Sequence, residues 1–454
     1  MAPNMKKHDV RFLICAFGLI FYAATGVQRV LCQPSTAERT RLAFPGQYLD
    51  SLKHAPSGEI AYLLRVKFFS AKIKNVPLDL IIQMTGESVD AHKPVIHHIT
   101  STQAYPYATQ FSPSGKWILV QTAFPQGAGD AYQLQFWDRA RSKMQVGPTT
   151  QAYPLIRSSP DSRYLAYFQG GDEFGEQTHG AAPLQLHVYN LETKQSQLIS
   201  ENPEVKSFCW TNQHSLLYAF KPSVPLEMAP PYHFHQPSIY ESVLGNNSAK
   251  LLIPAGFDPV SSPNGRWIAF KGWFHPALKK GPNPKTEPQR FGLCLYDRHQ
   301  KHRFFLHILP QRGAYENLVW SADSAHLFAV QNVYHDTHPA MLTVPEKTIY
   351  PGYAKGYVRD ISIPAFSQRD IAVISASDAS GRDDPQNQFL FHTVSRNGKC
   401  LYLYVNELRQ FYHSRLLSIN IHTGASQIVL EGDGIQAVGW REIPPLTVPL
   451  LRTR

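Results

Sequence analysis

Long apolar runs, clustered cysteines and dense charge are all scarce in this chain, and each scarcity removes a class of protein. The longest apolar stretch near the N-terminus, Phe12 to Ala24, covers 13 residues, whereas a bilayer-spanning helix needs about 20. Cysteine is rare, with five in 454 residues. Cys32, Cys209, Cys294 and Cys400 stand too far apart for close metal-ligand spacing and specify no disulfide framework. Cys209 and Cys294 fall in strand-like runs, where a small buried hydrophobe is expected. Charged residues reach 17%, and the 44 basic and 34 acidic side chains behind the formal charge of +10 form no lysine- or arginine-dense block. The excess permits attraction to anionic surfaces, but no nucleic-acid partner is expected.

What is present points to strands and turns. The chain holds 22 Tyr, 25 Phe, 35 Pro and 28 Gly, a composition that favours short strands over long helices. At the N-terminus, Lys6, Lys7 and Arg11 precede the apolar run, and Ala24 and Gly26 offer small residues for cleavage. This pattern reads as an export signal over residues 1–26, with an uncleaved membrane anchor or a buried segment as alternatives. "RVLC" ending at Cys32 invites a lipoprotein reading, which the bulky Leu31 opposes. Any membrane contact is expected only through an uncleaved N-terminal segment.

A ten-residue box is rewritten along the chain. "FSPSGKWILV" at Phe111 returns as "SSPDSRYLAYF" at Ser158 and "SSPNGRWIAFK" at Ser261, with weaker echoes from His54, Trp210, Trp320 and Phe366. Anchored on Pro56, Pro113, Pro160, Thr211, Pro263, Ala322 and Phe366, these copies lie 44 to 59 residues apart, the spacing of four-stranded propeller blades. Between them recurs a second element, "YQLQFWDRARSK" from Tyr132, "LQLHVYNLETKQ" from Leu184, "FGLCLYDRHQKH" from Phe291 and "LLSINIHTGASQ" from Leu416. Each alternates apolar and polar residues before a turn, as the outer hairpin of a blade does. The fold expected is all-β, a single β-propeller of four-stranded blades with seven blades, six or eight being the alternatives.

The box itself reads as architecture. Proline fixes one backbone angle, Ser or Asn caps locally, and Gly115 or Gly265 permits a positive φ. "SRNGKCLYLY" at Ser395 also fits the box, but it follows Phe366 by only 29 residues, too close for a separate complete blade. "DGIQAVGW" from Asp433 to Trp440 reads as one more inner strand that closes the ring beside the N-terminal blade. The organisation expected is a lead at 27–46, a propeller at 47–440 and a peripheral tail at 441–454.

The "SPDS" and "SPNG" boxes with their following "RYLAYF" and "RWIAFK", together with "VYNLETKQSQLI", resemble the repeats of TolB-type (WD40-like) β-propellers of the bacterial envelope. The resemblance covers most of Ser51 to Trp440 and implies a periplasmic or secreted protein that binds an envelope protein or peptide. The α/β domain that precedes the TolB propeller has no room here, so its bridging role does not transfer whole. Such propellers also accompany serine peptidases, but no G-x-S-x-G elbow follows.

Inner strands precede the boxes, and three begin alike at Ala104, Ala152 and Ala314. Phe257 with Asp258, and Tyr357 with Arg359 and Asp360, read as equivalent approaches. The expectation is an aromatic and mixed-charge rim at one mouth made by Tyr105, Tyr153, Phe257, Tyr315 and Tyr357, with Arg157, Asp258 and Arg359 as polar contacts. The competing reading is that these rings fill space between blades.

Asp172, Glu173 and Glu176 offer oxygens for calcium without the EF-hand pattern. The histidines of "YHFH" at Tyr232 and "YHDTH" at Tyr334 would need further ligands, such as His275, to hold zinc. A solvated loop is the expected reading of each, and no cofactor, metal or catalytic residue is assigned. The alternatives to a protein-binding scaffold are a propeller hydrolase or lyase using Asp258, Asp360, Glu316 or His54 on a small or carbohydrate substrate, and a binder of carbohydrate or another envelope ligand.

Overall fold

A computed structural model of the chain describes residues 58–65, 78–85, 95–99, 105–126, 129–150, 156–170, 184–201, 203–220, 237–246, 248–274, 290–308, 313–334, 353–375, 387–395, 398–407, 413–433 and 435–442. They form strands and no helix, gathered into seven antiparallel four-stranded sheets. In chain order the inner strands of blades 2 to 7 are Tyr105–Phe111, Ile156–Ser158, Pro203–Trp210, Gly256–Ser261, Gly313–Trp320 and Asn387–Val394. Blade 1 takes its inner strand from the far end of the chain: Ile435–Glu442 pairs antiparallel with Gly58–Arg65. The ring is therefore closed by hydrogen bonds between the first and last described strands, as the reading of Asp433 to Trp440 anticipated.

The apolar core is divided among the seams. Seven clusters of buried side chains are each shared by two neighbouring blades, from Ile118, Val120 and Trp137 against Ala61, Leu63 and Leu80 at the seam of blades 1 and 2 to Ile60, Tyr62 and Trp440 against Tyr402, Leu416 and Leu430 at the seam of blades 7 and 1. Second strands are covered on both faces, which is why "IAYL" from Ile60 and "WILV" from Trp117 read as continuous apolar runs.

The box is a hairpin with one recurring device. In blades 2, 3, 5, 6 and 7 the buried serine Oγ accepts from the N–H five residues on: Trp117 to Ser112 at 3.1 Å, Tyr164 to Ser159 at 3.0 Å, Trp267 to Ser262 at 2.9 Å, His326 to Ser321 at 2.9 Å and Cys400 to Ser395 at 2.8 Å. The residue three after each serine turns left-handed, with φ of 71° at Gly115, 61° at Ser162, 70° at Gly265, 62° at Ser324 and 68° at Gly398.

This geometry corrects two expectations. Ser395 carries the seventh box, whereas Phe366 lies in the outer turn of blade 6, after the third strand Tyr353–Ser362 and before the outer strand Gln368–Ser375. Outer turns share their own device: Asp138, Asn190, Asp297 and Asn420 end third strands, and each Oδ1 accepts from the two N–H groups that follow at a distance of two and three residues.

The perimeter is protected against edge pairing. Of the six large exposed hydrophobics among the described residues, Val146, Leu198, Leu251, Val373 and Ile428 lie on outer strands, and Val243 ends a third strand. In blades 2 to 7 the outer-strand pairing is interrupted by a register shift, which bends the edge away from a regular ladder.

Candidate functional site

The two faces of the disc are built differently, and the difference follows from the order of strands. Connections from inner to second strand and from third to outer strand emerge on one face; connections from second to third strand and from one blade to the next emerge on the other. Every connection longer than ten residues between described strands, namely 66–77, 170–184, 221–237, 275–289, 335–352 and 376–386, belongs to the second group. The first face consists of the boxes and outer turns. One face is thus pinned by serine, Asx and left-handed turns, and the other receives all the long connections. Inner strands run from the loop face to the turn face.

Inner strands also carry bulges. Pairing with the second strand shifts register between Pro106 and Ala108, Pro203 and Phe208, Phe257 and Val260, Glu316 and Val319, and Phe391 and Thr393. A bulge re-aims the side chains around it. In blade 5, Asp258 has a φ of 51°, a left-handed conformation that aspartate adopts more readily than most non-glycine residues. Its carboxylate meets Lys271 Nζ at 2.7 Å, and both side chains keep partial exposure.

The expected site residues divide between levels. Tyr105, Phe257 and Tyr315 stand at the loop-face beginnings of inner strands. They pair with Ala123, Lys271 and Gln331, which lie six, four and five residues after the first residue of their second strands, so the three are staggered over about 7 Å along the channel instead of sharing one level. Tyr153 lies outside the described residues, as do the acidic loop around Asp172 and the histidines at 233, 235, 275, 335 and 338. Tyr357 and Arg359 are on the third strand of blade 6, not an inner strand, and Arg359 Nε donates to Asp370 Oδ1 at 2.9 Å. Asp360 is buried there between His326 Nδ1 at 2.8 Å and Arg369 at 2.9 Å. Among the described residues no three His, Cys, Asp or Glu side chains group as metal ligands.

Arg157 sits near the opposite mouth, two residues before the box serine of blade 3. Residues at that level are Gln110, Arg157, Cys209, Val260 and Val319, with Thr393 and Gly439 in the two remaining blades. The first five pair with Leu119, Ala166, Leu217, Ala269 and Phe328, which puts their side chains on the same side of each blade. Cys209, Val260 and Val319 pack against the adjoining seam clusters. Burial pushes the Cys209 thiol up to about 12 despite a hydrogen bond from the Ser261 backbone. Arg157 instead is exposed. Desolvation by the surrounding protein lowers its guanidinium pKa. Level within a strand was not visible in the sequence, because each bulge resets the count.

No family model matches the sequence, and no curated protein matches it. Solved structures do share the fold. The β-propeller domain of the Trilobed protease from Pyrococcus furiosus, described as having an open velcro topology, is similar at 11% identity over 83% of this chain and 96% of that one, with a TM-score of 0.51. A prolyl endopeptidase is similar at 10% identity over 95% of this chain and 56% of that one, with a TM-score of 0.50. TolB from Acinetobacter baumannii is among the neighbours at 13% identity, 85% and 67% coverage and a TM-score of 0.39. At these identities the likeness is one of fold. The ring of this chain, unlike an open one, is closed by the Ile435–Glu442 strand.

Proposed function

We propose that the protein is an exported β-propeller that recognises an envelope protein or peptide through the face carrying the long connections. The observation behind this reading is the asymmetry of the disc: turns rich in specified hydrogen bonds on one side, all six long connections on the other. A rigid scaffold that gathers its long connections on one face is the usual arrangement of a recognition surface. Tyr105, Tyr153, Phe257 and Tyr315 are the aromatic contacts of this proposal, and Asp258 a polar one. The basic, then apolar N-terminus supports export, and the repeat resemblance supports the envelope.

The test is crosslinked capture from envelope extract with three folded chains: wild type, a loop-face variant carrying Tyr105→Ala, Phe257→Ala and Tyr315→Ala, and a turn-face variant carrying Lys116→Ala and Arg163→Ala. A partner held by wild type and the turn-face variant but lost by the loop-face variant supports the reading. Equal capture by all three, or turnover of a small substrate at the channel mouth without any partner, would replace it.

A further inference from the structure

We infer that the channel contains an oxyanion site at the turn-face end, in which the Arg157 guanidinium takes a carboxylate or a phosphate group. The inference does not rest on the recognition face, which lies at the other mouth.

Position makes the first argument. At this level Cys209, Val260 and Val319 direct neutral side chains into the seams. Arg157 carries the one permanent charge among the seven residues of that level, beside a seam whose buried cluster is formed by Ala166, Phe168, Phe208 and Trp210. An apolar side chain there would extend that cluster, so the cation is not explained by packing.

Pairing makes the second. The charged side chains near the turns nearly all have partners: Arg139 with Glu59, Arg266 with Asp297, Arg298 with Glu241, Arg369 with Asp360. Arg157 has no ion pair and no side-chain hydrogen bond among the described residues; only its backbone carbonyl is used, accepting from Trp210 Nε1 at 2.9 Å. That bond anchors the strand and leaves the side chain available. Desolvation acts on the guanidinium, the neighbouring Cys209 thiol stays protonated, and among the described residues no side chain offsets the positive charge. A guanidinium in such a place is matched by a ligand presenting two oxygens in its plane.

The full chain is titrated with inorganic phosphate and, separately, with acetate at constant ionic strength, following thermal stability and the Nε–Hε resonance of Arg157, assigned by its loss in Arg157→Lys. Saturable stabilisation by one of the anions, with a matching saturable shift of that resonance, is expected. In Arg157→Gln the apparent affinity should fall about tenfold or more, as loss of a charged hydrogen-bond pair implies. The anion that saturates at the lower concentration identifies the ligand chemistry. Saturation unchanged in Arg157→Gln overturns the inference. So does a wild-type resonance that stays fixed with both anions, a result that holds even if the glutamine variant fails to fold.

Discussion

Lys194 holds its Nζ 5.5 Å from the centre of the Trp117 ring, across the seam from blade 3 to blade 2. Phe366 repeats the relationship three blades on, placing its ring 6.5 Å from Trp267 and 5.0 Å from Phe304 of blade 5. Both occupy the left-handed position of an outer turn, with φ of 63° and 57°. The residue there reaches back over the large residue that begins the preceding blade's second strand. In blade 7 the same position is Gly424, and a Cβ would run into the Ile371 carbonyl oxygen of blade 6.

Gly424→Ala should therefore destabilise the ring by more than a left-handed alanine alone, which costs roughly 1–2 kcal/mol. Gly245→Ala, at a φ of 81° with open space around its Cβ, should show only that cost. Urea unfolding of the two variants measures the difference; equal losses would remove the steric contact from the account.

Ser262→Ala leaves the buried Trp267 N–H without its 2.9 Å acceptor. The expected cost is about 1–3 kcal/mol. Pro263→Ala, at an exposed position of the same turn, should change stability by about 0.5 kcal/mol or less.

The seam tryptophans separate by their indole groups. Trp210 Nε1 donates to Arg157 O at 2.9 Å and Trp320 Nε1 to Val260 O at 3.0 Å, both in the preceding blade. Trp440 Nε1 is buried with no partner among the described residues. Replacement by Phe should cost about 1 kcal/mol more at Trp210 and Trp320 than at Trp440, read from chemical denaturation midpoints.

The blades were legible in the sequence because each must bury two faces and so repeats one box. Phe366 imitated that box for a physical reason: Ser362 N–H donates to Ser367 O at 2.9 Å and Phe366 N–H to Ser362 O at 2.8 Å, so an outer turn spans the same five residues as the box. Ser395 was discounted on spacing, since the connection at 335–352 and the one at 376–386 delay the seventh box. Tyr357 looked like an inner-strand residue because third strands in a fully packed blade are as apolar as inner ones; Val358 beside it is fully buried.

Acid should weaken the turns of blades 5 and 6. Hydrogen bonding from Arg266 holds the Asp297 carboxyl below its ordinary pKa, and bonding from Ser321 does the same for Asp323. A carboxyl with a depressed folded pKa contributes stability that is full above its unfolded pKa and lost as pH falls through the folded one. Stability should fall across the acid side of the carboxylate range, and Asp297→Asn should flatten that slope. An unchanged slope in the variant would show that Asp297 does not carry it.

The central claim is that recognition belongs to the loop face. A photo-crosslinking residue placed at Phe257 in one chain and at Pro263 in another, irradiated in intact envelopes, puts the reporter at the loop-face end of the Gly256–Ser261 inner strand or in the turn beyond its other end. A discrete adduct from position 257 and none from 263 is the expected result. An adduct from 263 alone would contradict the claim and move recognition to the turn face.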